Sequence, residues 1–394
     1  MKRRHFLGQL AGGAFAAGTS TLGADAPSRS GLVVTPLVLM APRRDGIEAV
    51  WAVSRLSRGR LEWESTDGSS GIVASDRFGF VPQGHPVLRV RLDGLTPGRS
   101  YRVRAVTVAA EDGETEMSPW KSFRTLDPTA SETTFAVWND THVNQTTLQQ
   151  LHQQTTSADF LVWNGDTCND WKSEDLLIPT LLHPGGCDIS AGRPLLVVWG
   201  NHDVRGKYAF KMPGMVATPS GRPFYAFRSG PVGVICLHTG EDKPDSHPSF
   251  GGRVAFDRLR QEQAAWLAET VRNPEFAAAR YRVVICHIPL RGVDESPQDY
   301  DKGGFDRHSG RSRAAWHDSL VAWGAQVVLS GHTHRTTWIP PSTEFPYAQL
   351  IGGGPAPAAA SWIDARADSA RLRLVVRDLA GEIKHDLSLS PVPG

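Results

Sequence analysis

Short alternating runs of apolar and polar residues fill the chain from about residue 31 to residue 125. The segments 47–53, 60–63, 86–92 and 100–106 carry the period of two that suits a half-buried strand, and turn residues separate them. No helical stretch of useful length interrupts them, so residues 31–126 are predicted to form a small all-β sandwich. The polar, proline-containing segment 126–132 ends that pattern and marks a domain boundary. Beyond it strands and helices alternate. Strands are expected over 134–139, 159–164, 194–199, 232–237, 281–287 and 326–330, and helices over 145–155, 258–271 and 312–323. This order predicts a multi-domain chain whose second domain, 133–390, is α/β, with two mixed sheets flanked by helices. In the 258–271 helix, Leu259, Trp266, Leu267 and Val271 share one stripe, which assigns Trp266 to the core. Strand-like segments at 335–339, 347–351, 372–377 and 383–389 are expected to complete the second sheet.

Residues 1–26 read differently. Lys2-Arg3-Arg4 is basic, 6–22 is mildly apolar and rich in Gly and Ala, and Ala24-Asp25-Ala26 fits a small-residue cleavage site. The order Arg3-Arg4-His5-Phe6-Leu7 resembles a bacterial twin-arginine export signal, which implies a periplasmic or secreted protein with a mature chain starting near Pro27. Gly, Gln, Ser and Thr break the apolar run well short of the ~20 residues a membrane span needs, so no transmembrane segment is expected in the mature chain. Forty-two Lys plus Arg against 41 Asp plus Glu leave a net charge of +1. That balance excludes dedicated nucleic-acid binding and leaves room for a small phosphorylated substrate. Nothing in the pattern sets the oligomeric state. Cys168 and Cys187 are near in chain order, and an export compartment permits a disulfide between them; Cys236 and Cys286 sit in apolar strands as buried thiols.

Five expected strands end in metal-ligating residue types. Asp140-Thr141-His142 follows the first strand of the α/β domain, Gly165-Asp166 the second, and Gly200-Asn201-His202-Asp203 the third. His287 ends the strand from residue 281, and Gly331-His332-Thr333-His334 follows the run 326–330. Any one of these alone reads as a turn or a cap. A loop after a buried strand can aim such side chains at one point, and five in order supply the mixed nitrogen and oxygen donors of a two-metal site.

The order and wording of the five motifs resemble the calcineurin-like metallophosphoesterase family across the whole second domain. The segment 92–103, with Tyr101 as a corner tyrosine and Trp51 as a core tryptophan, resembles a fibronectin type III domain. Purple acid phosphatases within the family also carry such a domain in front. Two departures separate this chain from them: His142 stands where they have glycine, and Asn169 where they have an iron-binding tyrosine. The resemblance therefore implies a first metal site like that of the phosphodiesterase-like branch.

It further implies two divalent or trivalent ions, of Mn, Fe, Zn or Co, with Asp166 as the bridge. Asp140, His142 and His334 would complete the first site, and Asn201, His287 and His332 the second. Family members use the histidine at position 202 to protonate or stabilise the leaving oxygen, and Asp203 is expected to orient it. Arg205 and Arg291 follow ligand loops and are candidate phosphate clamps, with a salt bridge as the competing role for each. The loops 241–252 and 292–310, the latter with Asp294, Asp299, Asp306, Arg307 and His308, are expected to set substrate choice. His238 reads as an ordinary strand-end histidine. The function implied is an exported binuclear phosphoesterase that hydrolyses phosphomonoesters by attack of a metal-bridging hydroxide. A phosphodiesterase for nucleotide or lipid-headgroup esters is the alternative, and an inactive binding or adhesion module is the reading from a different class.

Overall fold

The computed structural model describes residues 31–75, 79–293 and 296–393. Residues 1–26, expected to be an export signal, and Asp294 lie outside the described residues. In the first part of the chain two antiparallel groups of strands face each other. Val38–Arg43, Gly46–Ala52 and Val87–Asp93 form one side; Ser57–Ser65 and Ser100–Ala109, with shorter partners, form the other. Alternation decides which residues turn inward: in Val87–Asp93, Leu88, Val90 and Leu92 are buried. Trp51 is fully buried and its Nε1 donates to Thr107 Oγ1 at 2.9 Å. Gly59 makes room for it, because a Cβ there would lie 2.7 Å from the indole. The Tyr101 hydroxyl accepts from the Thr96 amide at 2.9 Å, and its ring packs on Phe123 and Trp63. Both aromatics serve packing, as expected.

The α/β part consists of two sheets packed face to face. Thr133–Asn139, Phe160–Asn164 and Leu195–Val198 run parallel in the first, and Val232–Leu237, Tyr281–Cys286 and Val327–Ser330 run parallel in the second. Between them Phe135, Val137, Phe160 and Val162 meet Val234, Val283, Ile285 and Leu329 in a core with no exposed member of that group. Near-continuous apolar runs are what strands buried on both faces require. Helix Gln145–Gln154 covers the outer face of the first sheet through Leu148 and Leu151, and Phe256–Thr270 and Gly310–Trp323 cover the second through Leu267, Trp316 and Leu320.

Three findings depart from the sequence reading. First, the C-terminal strands divide between the sheets. Thr337–Ile339 and Ala348–Ile351 extend the second sheet, whereas Leu372–Asp378 and Ile383–Leu389 join the first. The reason is an unpredicted strand, Ser361–Ala367, which pairs antiparallel with Thr133–Asn139 and carries the last two strands with it. Second, hydrogen bonding continues across the boundary segment 126–132. Val38–Arg43 lies beside Leu195–Val198 with Met40 opposite Leu195, so one nine-stranded sheet runs through both parts. Lys121 clasps this junction: its Nζ reaches the Leu37 carbonyl at 2.6 Å, Ser190 Oγ at 2.7 Å and the Asp188 carboxylate. Third, Trp266 is half-buried against Phe224 and not in the core. The inward positions of its helix are Arg260, Gln263 and Leu267. Gln263 accepts from the His238 amide and donates to the His238 carbonyl, both at 2.8 Å, and Arg260 donates to the Thr239 carbonyl. Closing a strand end took precedence there over apolar burial. No helix among the described residues is long and apolar enough to cross a membrane.

Candidate metal centre

Parallel pairing brings the carboxyl ends of the five motif-bearing strands to one edge of the two sheets. Their loops are knitted by backbone bonds: the His142 amide donates to the Asp166 carbonyl at 2.8 Å, and the Gly331 amide to the His287 carbonyl at 2.9 Å. The His332 amide donates to both carboxylate oxygens of Asp140, at 2.9 and 2.7 Å, and the His202 amide donates to Asp166 Oδ1 at 2.9 Å. Such close passage excludes side chains at three glycines. A Cβ at Gly331 would lie 2.2 Å from Asp140 Oδ2, one at Gly200 2.3 Å from Asp166, and one at Gly165 2.4 Å from His287 Nδ1.

The donor atoms fall into two groups that share Asp166: Asp140, His142, Asp166 and His334, and then Asp166, His287 and His332. Asn201 joins the second group, its Oδ1 lying 2.9 Å from His332 Nδ1. All seven residues expected as ligands thus come together. Backbone carbonyls orient three of the rings. His142 Nδ1 donates to the Cys168 carbonyl and His287 Nδ1 to the Asn164 carbonyl, each at 2.9 Å, and His332 Nε2 donates to the Asp306 carbonyl at 2.8 Å. Each remaining ring nitrogen therefore turns a lone pair inward.

Those lone pairs meet other acceptors, which tests whether a cation fits. His287 Nε2 is buried without a hydrogen-bond partner and lies 3.2 Å from Asp166 Oδ2 and 3.7 Å from Asp140 Oδ1. His142 Nε2 is 3.2 Å from His334 Nε2 and 3.8 Å from Asp166 Oδ2. Burial opposes charge on His287, but Asp166 and Asp140 override it and raise the ring to about 10, so the pocket demands positive charge. Burial likewise opposes ionisation of Asp166, yet His287, His202 and His142 hold its carboxyl well below the usual range. Nitrogen and oxygen donors converging in pairs on a buried carboxylate suit a transition-metal pair, and the residues fit that group. Backbone strain is concentrated here as well. Asp140, His142, Asp166, Asp170, His332 and His334 all have positive φ, between 44° and 82°, and Ala41 is the only other described non-glycine residue that does. Each such residue costs about 1–3 kcal/mol and persists where its surroundings force it.

His202 stands beside the first group, its ring centroid 5.0 Å from that of His142. Asp170, and not Asp203, orients it: His202 Nδ1 lies 2.7 Å from Asp170 Oδ1. Burial works against a charged His202 ring, but the bond to Asp170 and the Asp166 charge outweigh it and raise its pKa. Asp203 is turned the other way. It accepts from the Thr167 amide at 2.9 Å and the Gly200 amide at 2.8 Å, so it ties two ligand loops together. Burial, helped by the Asp166 charge, raises its carboxyl to about 6. Reasoning from adjacency picked the neighbour of His202; the loop geometry picks a residue four positions after Asp166.

Both candidate clamps line a cleft of 600 Å³ that opens onto Asp166, Asn201, His332 and His334. Arg205 is committed inside the protein, with Nη2 at 2.6 Å from Glu241 and 3.0 Å from Asp242. Arg291 is buried, with Nη1 donating to the Tyr347 carbonyl at 2.9 Å and its guanidinium over the Phe345 ring. The loops 241–252 and 292–310 contribute Asp242, Lys243, Val293, Phe305 and Arg307 to the cleft. All four cysteines are free, so Cys168 and Cys187 are not bonded to each other; the Cys168 thiol donates to the His202 carbonyl. His238 is buried between Trp199 and Phe256 and belongs to neither donor group.

The calcineurin-like phosphoesterase family model matches residues 133–336. Among solved structures, a purple acid phosphatase, PPD1, from yellow lupin (Lupinus luteus) seeds is similar at 14% identity with a TM-score of 0.68, covering 91% of this chain and 74% of its own. A structure of PhoD is similar at 14% identity with a TM-score of 0.59, covering 93% of this chain and 90% of its own. At that identity the likeness is one of fold. No curated protein matches the sequence.

Proposed function

The chain belongs to the calcineurin-like phosphoesterase family and is a metal-dependent phosphoric ester hydrolase; we propose that it is an exported enzyme that holds two metal ions and hydrolyses phosphomonoesters. The observation that carries the two-site reading is the pair of donor groups sharing Asp166. Asp140, His142 and His334 would hold one ion and Asn201, His287 and His332 the other. When bound, such a pair supplies a water of lowered pKa as nucleophile and neutralises charge on the phosphoryl group. The chain's own residues do the rest. His202, held in place by Asp170, gives its proton to the leaving oxygen. The cleft binds and orients the ester, while the carbonyls of Cys168, Asn164 and Asp306 keep three ligand rings in register. An inactive binding module is disfavoured by a donor set that lacks no member. The phosphodiesterase reading is favoured by His142, whose Nε2 turns into the first donor group.

The test is turnover of a nitrophenyl monoester and a bis-nitrophenyl diester side by side, after Mn reconstitution of protein starting at Pro27, with Asp166→Asn as control. A faster monoester rate that disappears in the control supports the proposal, and a faster diester rate replaces it with the diesterase reading. Export rests on residues 1–26, with Arg3 and Arg4 as its core. Retention of an Arg3→Lys, Arg4→Lys chain in the cytoplasm, with the unaltered chain found outside it, is the expected outcome.

A further inference from the structure

The cleft holds more positive charge than the reacting phosphoryl group uses. Arg205, Lys243, Arg291, Arg307 and Arg335 all line it. Three are engaged by the protein: Arg205 by Glu241 and Asp242, Lys243 by Asp242 at 2.8 Å, and Arg291 by backbone carbonyls and the Phe345 ring. Arg307 and Arg335 are different. Both are exposed, and the guanidinium of neither makes a hydrogen bond or ion pair with another described residue. Both are also attached to the candidate metal centre. Arg307 follows Asp306, whose carbonyl holds His332, and Arg335 directly follows His334. The chain as a whole carries only +1, so this excess is local.

In the reaction proposed above, metal ions and His202 answer the charge of the transferred phosphoryl group. Two guanidiniums remain on the walls that carry the two histidines of the last motif. A guanidinium presents a planar fork that matches phosphate or carboxylate oxygens in pairs. We infer that the cleft selects phosphoesters bearing a second anionic group, a phosphate or a carboxylate, held by Arg307 and Arg335 while the reacting phosphoryl lies among the metal ligands. Phe305 gives the connecting part of the substrate an apolar wall: it is partly exposed, edge-on to His332 with ring centroids 5.8 Å apart, and capped by the Lys243 ammonium. This inference rests on the phosphoesterase reading.

The experiment uses the Mn-reconstituted protein and three series of alkyl phosphates of increasing chain length, ending in a hydroxyl, a carboxylate or a second phosphate. Phosphate release gives kcat/KM for each. At one chain length or more, an anionic end should raise kcat/KM by roughly tenfold or more over the hydroxyl end, as charge-assisted hydrogen bonds require. The carboxylate and bisphosphate series show which anion is preferred. In the R307Q/R335Q variant the ratio of anionic to hydroxyl substrates should collapse toward unity; both side chains are exposed, so folding is not at stake. Hydrolysis with no preference at any length overturns the inference and leaves the phosphoesterase intact. A preference that survives in the variant overturns it too. Failure to release phosphate from any ester, nitrophenyl phosphate included, removes the phosphomonoesterase reading and the inference together.

Discussion

Asp170 and Asp203 are two carboxylates with different work. Asp170 touches His202, the proposed proton donor, so Asp170→Asn should lower kcat by about 10–100-fold while bound metal is retained, which metal analysis beside steady-state kinetics will check. Asp203 accepts from the amides that shape the Asp166 and Asn201 loops. Asp203→Asn puts a donor against those donors, and the expected result is lower metal content and a lower Tm together. The seven candidate ligands, which the structure brings together, were legible because each is a metal-binding residue type at a strand end. Asp170 was not, since no spacing rule ties a loop carboxylate to a ring on another loop. The carbonyls of Cys168, Asn164 and Asp306 were beyond reach for a simpler reason: every residue has one.

Strand ends, rather than helices, deliver the chemistry, and the glycines among them set how close the loops come. Gly331→Ala drives a Cβ to 2.2 Å from Asp140 Oδ2, whereas a Cβ at Gly214 meets nothing within 4 Å. Gly331→Ala should therefore lose bound metal and melt earlier, and Gly214→Ala should keep its metal, by metal analysis and thermal melting of both. The end of strand Val232–Leu237 makes a second case. His238 lies at the junction with helix Phe256–Thr270, and burial, with the Arg260 charge adding to it, pushes its ring down to about 3. In the unfolded chain the ring takes its proton near the ordinary value of 6.5. Between those values the unfolded state binds more protons, so stability is lost as pH falls from 6.5 toward 3. Urea unfolding of wild type and His238→Gln at pH 6.5 and pH 4.5 should show the variant losing less over the interval, by about 2 kcal/mol. The elements themselves were largely readable from period and turn residues. Ser361–Ala367 was missed, and with it the sheet that the last two strands join.

Across the whole molecule the candidate centre sits where two sheets meet. Asp140, His142, Asp166 and Asn201 come from loops of the first sheet, and His287, His332 and His334 from loops of the second. Bound ions would thus staple the sheets at the edge where carboxylates and lone pairs otherwise face one another. Removing metal with a chelator should lower stability by about 3 kcal/mol per bound ion relative to protein at a hundredfold excess of metal over its Kd, and Mn should restore the Tm. The first sheet also runs on through Val38–Arg43 into the sandwich, with Lys121 across the junction.

What the sequence by itself determined was local: strand and helix periods, the polar break at 126–132, and five strand ends bearing Asp, Asn and His in an order that named a family. Those follow from rules acting over a few residues, and each leaves its mark in a short window. Tertiary structure alone decided which sheet Leu372–Asp378 joins, that Met40 lies beside Leu195, that Trp266 yields its inward position to Gln263, and that Asp170 holds His202. In each of these the partners are chosen by contacts between residues far apart in the chain, where hydrogen-bond satisfaction and close packing compete, and no short window contains both sides of that competition.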